Sequence, residues 1–537
     1  MERKIQLLDC TLRDGSYIVD SHFGTAAVKG LIKRLGEAGV DIIECGWLKN
    51  QSHMEGSTFF HQPSDIKPYI EKKSNQSVYV AMIDWDRYDL ETLETYDGSS
   101  IDAVRVVFPQ NQFRNGIALG HIIQKKGYKV YFQAANTLAY DDDELVELAD
   151  MANKVHPQCL SVVDTFGAMY DEDLERIVKI LDRYLDKDIC IGFHSHNNQQ
   201  LSFALSMHFA HMLNESRRGI VLDASLCGMG RGAGNAATEL VVSFLNRKYQ
   251  GGYDMDIIMD AIDMYMEYFM EHYEWGYSVP YFIAGMYCAH VNNIAYLRDN
   301  YRTNAKDMHN IIASLEEADR RKYDYSLLEE KYFEYQDHMV QDEASLERLK
   351  RETAGRQILL LIPGKSLVIQ KDKIQDHIKK QQPVVVGVNA VLREYTYDYL
   401  FFSSSVRYEY AKEAYPNLFC RYPKIVSSNV RTDAGEDEMI INYHKIIKRG
   451  WEHFDNAGIM CLRLLNRIKA EDVILAGFDG FEHEYAESYA DISLPKIEPG
   501  KKWDALNDEI RDIFMDFKKA TEGEMNIQFL TKSKYME

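Results

Sequence analysis

The first half of this chain reads as a (β/α)8 barrel, and its last third as a separate α/β domain. Eight short apolar runs recur over about 250 residues, each followed by a stretch able to form a helix; such alternation demands parallel strands joined by crossover helices. The reactive residues of this half fall at the ends of those runs, and a barrel gathers its strand C-termini on one rim. The length of 537 residues exceeds what one core organises and calls for further domains. An open doubly wound sheet is the alternative for the same alternation.

The predicted barrel strands are Ile5–Asp9, Asp41–Cys45, Val78–Ile83, Ala103–Phe108, Lys129–Ala134, Cys159–Asp164, Cys190–His194 and Val221–Ser225. Residues 254–350 read as helical. Met, Tyr and Glu dominate there, as in Ile262–Met270, and such a stripe belongs in a core before it belongs in a cofactor box. Trp275–Tyr281 is an expected break between helices. The charged run 341–353 reads as an exposed connection ending at Ala354-Gly355. A second pattern follows, with predicted strands Ile358–Ile362, Val384–Val388, Tyr399–Ser403, Lys424–Ser427 and Val473–Ala476 and a helix over Ala457–Ile468. The expected organisation is a barrel over 1–253, a helical extension over 254–350 and a domain with a mostly parallel, Rossmann-like sheet over 356–537.

Two segments hold most of the chemistry. Leu8-Asp9-Cys10-Thr11-Leu12-Arg13-Asp14-Gly15 puts a guanidinium beside a carboxylate just after the first strand. His194-Ser195-His196 puts two imidazoles at i and i+2 at the end of the seventh, where strand geometry turns both to one side. One carboxylate and two histidines form a divalent-metal site with positions left open for substrate, and Arg13 can grip a carboxylate in two-point contact. Asp164 ends the sixth strand, facing the site or capping the helix that begins near Asp171. Asn197 and Asn198 are expected to cap the next helix. The loop Gly228–Asn235 carries four glycines in seven residues and can approach an anion closely.

Thr11-Leu12-Arg13-Asp14-Gly15, Glu44, His194-x-His196 and Gly232-Ala233-Gly234-Asn235-Ala236 together resemble the DRE-TIM metallolyase family, which includes 4-hydroxy-2-oxovalerate aldolase, hydroxymethylglutaryl-CoA lyase and the isopropylmalate and citramalate synthases. The resemblance covers residues 1–250 and extends more weakly to about 345. It implies that Asp14, His194 and His196 bind a metal, with Asn235 as a fourth protein contact. It also implies that Arg13 stabilises the developing oxyanion and that Glu44 orients Arg13 or a substrate hydroxyl. The metal expected by family is Mn2+ or Mg2+, with Zn2+ or Co2+ compatible with the ligand types. In the aldolases a histidine following the Arg-Asp-Gly-Ser segment serves as acid/base. Here that position is Tyr17, with His22 five residues further on. A phenol of ordinary pKa near ~10 is a poor base at neutral pH, so the proton step falls to Tyr17, to water or to the helical segment, and the family's usual substrate is put in doubt.

Composition narrows the function classes. A net charge of −21 argues against a nucleic-acid surface. No apolar run approaches a membrane span, and Met1–Asp9 lacks the apolar core of a signal peptide. Eight dispersed cysteines without a CxxC pair read as reduced thiols of a cytoplasmic protein, with Cys10 and Cys227 adjoining the motifs.

In the second domain Pro363-Gly364-Lys365-Ser366 invites a phosphate-loop reading, but Leu359 stands where that motif needs its first glycine. Ile362–Leu367, Val388-Asn389, Phe402-Ser403 and Ile474–Gly480 are loosely similar to bacterial sialyltransferase-like domains. That likeness implies a nucleotide-sugar site at Gly364, Ser366 and Asn389, with His444 and His483 as candidate catalytic histidines. The expected function is a metal-dependent aldolase or lyase acting on a 2-oxo acid and an aldehyde, in surface-polysaccharide or sugar metabolism. The alternatives are an acetyl-CoA-dependent Claisen enzyme, or an inactive barrel scaffold carrying a glycosyltransferase-like domain. A homo-oligomer is compatible with each.

Overall fold

In the computed structural model, which describes residues 3–300, 303, 305–336, 340–430, 432, 438–448, 450–451, 456–495 and 503–536, all eight barrel strands form. They are β1 (Ile5–Asp9), β2 (Ile42–Leu48), β3 (Val78–Asp84), β4 (Ala103–Pro109), β5 (Lys129–Ala135), β6 (Cys159–Asp164), β7 (Cys190–Ser195) and β8 (Ile220–Ala224). Each pairs in parallel with the next, and β1 pairs with both β2 and β8, so the sheet closes on itself. With the interior on one side and helices on the other, the strands are buried almost throughout, which is why they read as continuous apolar runs instead of alternating ones. The helix Asp142–Val155 shows how the outer layer is specified: Asp141 and Glu144 form a capping box, three acids occupy the first turn, Lys154 sits in the last, and His156 ends the helix in the left-handed region.

β2 runs three residues beyond its predicted end, and its pairing with β3 carries one extra residue between Glu44 and Trp47. Residues three apart on a regular strand face opposite sides; the bulge brings both onto the same side. A two-residue strand, Phe59-Phe60, pairs with Trp47 and Leu48.

The chain divides into two units, Met1–Ile294 with Arg320–Lys322, and Ala295–Asp319 with Tyr323–Glu537. Within the first, the segment after the barrel packs on the rim loops: the Trp275 indole donates to the Cys227 carbonyl at 2.9 Å, and a Cβ on Gly285 would meet Asn198 and Gly167. The second unit has a seven-stranded parallel sheet of β9 (Ile358–Leu361), β10 (Val384–Val388), β11 (Tyr399–Phe402), β12 (Lys424–Ser427), β13 (Glu438–Ile441), β14 (Asp472–Ala476) and β15 (Asn526–Phe529), ordered β13-β12-β11-β10-β9-β14-β15. The edge strands β13 and β15 escape the sequence reading, being only four residues long, β15 with polar residues at alternate positions. The charged run read as an exposed connection is instead a helix of this unit, Glu343–Thr353. Leu349 of that helix lies in the core, and the buried Asp342 before it accepts two hydrogen bonds from Arg467. None of the described helices is long and apolar enough to cross a membrane.

Candidate metal centre

Asp14 ends a short helical turn, Thr11–Asp14, that follows β1 directly, and its N–H is tied to the Cys10 carbonyl at 2.8 Å. His194 and His196 lie at the end of β7, their rings 5.1 Å apart and nearly perpendicular. Both Nε2 atoms turn to one oxygen of Asp14: His194 at 3.8 Å and His196 at 3.5 Å from Oδ2. The other ring nitrogens are occupied. His194 Nδ1 lies 3.1 Å from Asp223, and His196 Nδ1 lies 3.1 Å from the Asp164 carbonyl. A carbonyl or carboxylate partner fixes the proton on Nδ1 and leaves the Nε2 lone pair pointing inward. Burial above all lowers the pKa of His194, so its imidazole is held neutral.

Behind these three side chains runs a closed set of buried charges. Arg13 gives Nη1 to Asp14 at 2.8 Å and Nε to Glu44 at 2.8 Å. Arg105, wholly buried in mid-strand β4, ion-pairs Glu44 at 2.9 Å and donates to Asp223 of β8 at 2.5 Å. Asp223 returns to His194. Burial works against the charged forms of Asp14, Asp223 and both arginines, yet Arg13 holds Asp14 well below the usual carboxylate range and Arg105 holds Asp223 below it, while the carboxylates raise both arginines. The β2 bulge completes the grip on Arg13, because Trp47 donates its indole N–H to the Arg13 carbonyl at 3.3 Å while Glu44 holds the guanidinium. Arg13 Nη2 has no hydrogen-bond partner among the described residues.

The predicted fourth contact, Asn235, is also here. Its Nδ2 stands 2.7 Å from Asp14 Oδ2, and its Oδ1 is buried without a hydrogen-bond partner among the described residues. The glycine loop is used to place it. A Cβ on Gly230 would stand 2.4 Å from Asn235 Nδ2 and 3.0 Å from Asp14 Oδ2, and one on Gly234 would strike the Gly228 carbonyl.

The donor set fits a divalent cation. Asp14, His194 and His196 each offer an atom within 4.8 Å of the others, two of them imidazole nitrogens and one a carboxylate oxygen. The orphaned Asn235 oxygen lies on the same side chain whose nitrogen now faces Asp14, and turning the amide end for end would bring that oxygen among the ligand atoms.

Tyr17 lies beside this set, its ring edge-on to Trp47 and covered by the Arg231 guanidinium 3.8 Å from the ring centre. The ring is 38% accessible, yet burial raises the phenol above its ordinary value, outweighing Arg231 and Arg13. It therefore stays protonated at neutral pH, able to donate a hydrogen bond and unsuited to act as a base. Arg231 also approaches His290 at 3.4 Å, and burial, then Arg231 and His196, push that imidazole down to about 4. His22 is exposed, bonded to the Asp20 carbonyl and bridged to Ser57, away from the triad. Asp164 caps a turn through the N–H groups of Ala168 and Met169, ahead of the helix that begins at Asp171. Asn197 accepts from the Ser202 N–H at the start of its helix, whereas Asn198 bridges the Phe166 carbonyl and the Ala233 N–H. Burial raises both thiols, Cys10 well above its usual value and Cys227 to about 12, which keeps them protonated.

Sequence reading missed Arg105, Asp223, Arg231 and His290. A signal existed for the first two, each a charge inside an apolar strand.

A family model described as HMGL-like matches residues 109–264. The oxaloacetate decarboxylase of Mycobacterium tuberculosis is 29% identical over 261 residues, spanning 48% of this chain and 74% of that protein. The 4-hydroxy-2-oxovalerate aldolase of Geobacillus genomosp. 3 is 26% identical over 277 residues, 50% of this chain and 79% of the relative. Among solved structures, the HMG-CoA lyase of Brucella melitensis superposes on 50% of this chain and 100% of its own, with a TM-score of 0.40 and 15% identity. With its Arg-Asp pair, its two histidines and its asparagine gathered on one barrel rim, the N-terminal half of this chain is similar to the HMGL-like proteins, which supports its likeness to the DRE-TIM metallolyases.

Proposed function

We propose that the barrel is a divalent-metal-dependent lyase that breaks or forms the carbon–carbon bond next to a 2-oxo acid, with Asp14, His194, His196 and Asn235 holding Mn2+ or Mg2+. The observation that carries this reading is the convergence of two Nε2 atoms on Asp14 Oδ2 with the open Arg13 Nη2 beside it. A bound divalent cation supplies Lewis acidity, polarising the oxygens of a chelating 2-oxo acid. Arg13 supplies a fixed second cation, restrained by Glu44, Asp14 and Trp47, and offers Nη2 to the keto oxygen as negative charge develops there. Tyr17, held protonated, donates a hydrogen bond or a proton at the mouth. The Arg231 guanidinium keeps the ring in place.

Decarboxylating oxaloacetate and cleaving 4-hydroxy-2-oxovalerate both break the C3–C4 bond of a 2-oxo acid, and both leave a three-carbon enol to be protonated. The relatives' names therefore support one chemistry with different leaving groups. The protein with added Mn2+ is to be offered oxaloacetate and a series of 4-hydroxy-2-oxo acids, including ones derived from sugar aldehydes, with pyruvate release followed by lactate dehydrogenase. Release that is lost with chelator and restored by Mn2+ is expected. Free thiol from acetyl-CoA with a 2-oxo acid, and no pyruvate from any substrate, would replace the lyase with the Claisen enzyme.

A further inference from the structure

The second unit holds a cavity that the barrel chemistry does not use. Counting from β9, its sheet runs outward through β10, β11, β12 and β13 on one side and through β14 and β15 on the other, so the chain reverses direction between β9 and β14. Open parallel sheets bind ligands outside their strand C-termini at such a reversal. The cavity is there, enclosing about 1080 Å³ with its open mouth included, between the Pro363-Gly364 turn after β9 and the Gly477–Phe481 loop after β14. It extends across Asn389 and Ser403–Ser405 at the ends of β10 and β11.

Its wall is built for an anion on one side. The helices Ser405–Ala414 and Ala457–Arg467 both begin at it, capped by Ser404 and Asn456, so two positive helix ends point at one space. Arg407, only 2% exposed, lines the same space with its guanidinium 4.9 Å from the Tyr489 ring centre. The other side differs. A Cβ on Gly364 would stand 2.3 Å from the Gly477 carbonyl, so only glycine lets the two loops meet. Asp479 is fixed at that meeting point by the Ser366 N–H at 2.7 Å and hydroxyl at 2.5 Å, and each carboxylate oxygen keeps a second lone pair. Asp307, the other acid of the lining, accepts from the Tyr335 hydroxyl. The rings of Phe481 and Tyr489 also border the space.

We propose that this cavity binds a nucleotide, with its phosphate at the two helix N-termini and Arg407 and its sugar hydroxyls toward Asp479. The site is independent of the lyase reading. Titration calorimetry of the full chain with CMP, UDP, ADP, their sugar conjugates, inorganic phosphate and uridine tests it. At least one nucleotide should bind about tenfold or more tighter than phosphate or nucleoside alone, since only it engages both sides. Ser405→Glu adds a carboxylate where a helix start favours it, so the fold should hold, while phosphate is repelled and binding weakens about tenfold or more. Arg407→Met should do the same, with thermal unfolding recorded alongside. The proposal falls if no nucleotide binds the folded protein, if inorganic phosphate binds as tightly as every nucleotide, or if Ser405→Glu leaves affinity unchanged. Preference for a nucleotide sugar over the free nucleotide would support it and name the class.

Discussion

Asp223→Asn should weaken metal binding without unfolding the barrel. Asp223 does not reach the triad's centre itself. It accepts from His194 Nδ1 at 3.1 Å and from Arg105 at 2.5 Å, while its second oxygen has no hydrogen-bond partner among the described residues. Asparagine keeps the shape and can keep one acceptor for His194, so what is lost is charge. Three carboxylates (Asp14, Glu44, Asp223) stand against two guanidiniums (Arg13, Arg105), and the buried set carries one negative charge that a divalent cation would overcompensate. Removing that charge makes His194 less basic and the site less welcoming to a cation. Partners of this kind contribute 10- to 100-fold in metal affinity, about 1.4–2.8 kcal/mol. Arg105 keeps Glu44, so it is not stranded as an unpaired buried charge, which would cost more. Competition with a fluorescent chelator gives the Mn2+ dissociation constant, and circular dichroism reports the fold. Because Asp223 acts through His194, Asp223→Asn should add little in a His194→Ala background. Affinity within twofold of the parent would refute the idea that the buried set tunes the metal site, and full additivity of the two changes would refute the route through His194.

Three further outcomes follow from the same geometry. Arg13→Lys keeps a charge but loses the fork that spans Glu44, Asp14 and the open Nη2; kcat should fall about 10²- to 10³-fold with Mn2+ affinity changed much less, and a near-parental kcat would make Arg13 structural. Gly230→Ala should weaken Mn2+ binding in a protein of nearly unchanged melting temperature, because the new methyl collides with Asn235 and Asp14; unchanged affinity would show that the loop yields. Burial, against the hydrogen bonds from Thr238 and Thr11, raises the Asp9 carboxyl from 3.8 to about 6. The folded state thus binds this proton more tightly than the unfolded chain, so the group favours folding below 3.8 and loses that contribution as pH rises through about 6, a cost of about 3 kcal/mol at neutral pH. Denaturant titrations should show Asp9→Asn gaining on the parent from acid to neutral pH, and a pH-independent difference would refute the shift.

How much of this was legible beforehand depended on whether a residue announced itself locally. Asp14, His194 and His196 did, because adjacency and i,i+2 spacing at strand ends are short-range signals that the barrel then brings to one oxygen. The strands did too, since both their faces are buried. Tyr17 did so only by type: whether its surroundings would pull the phenol down toward a base or push it up toward a donor depended on Arg231, Arg13 and the depth of the mouth, and burial prevails. The β2 bulge was hidden because an extra residue shows only against the partner strand.

Arg105 and Asp223 are the instructive omissions. Val104-Arg105-Val106 and Leu222-Asp223-Ala224 each place a charge inside an apolar strand, and in a barrel such a side chain that points inward has no water to reach. Leaving either unpaired would cost several kcal/mol, so the barrel reading alone requires opposite charges in the interior. Among the barrel strands Glu44, also inside an apolar run, is the other residue of this kind, and one arginine between two carboxylates demands a further cation close by. Arg13, next to Asp14, meets that demand. The pairing spans 118 residues between Arg105 and Asp223, beyond any motif, yet charge balance within a closed sheet could have joined them before any coordinate was known.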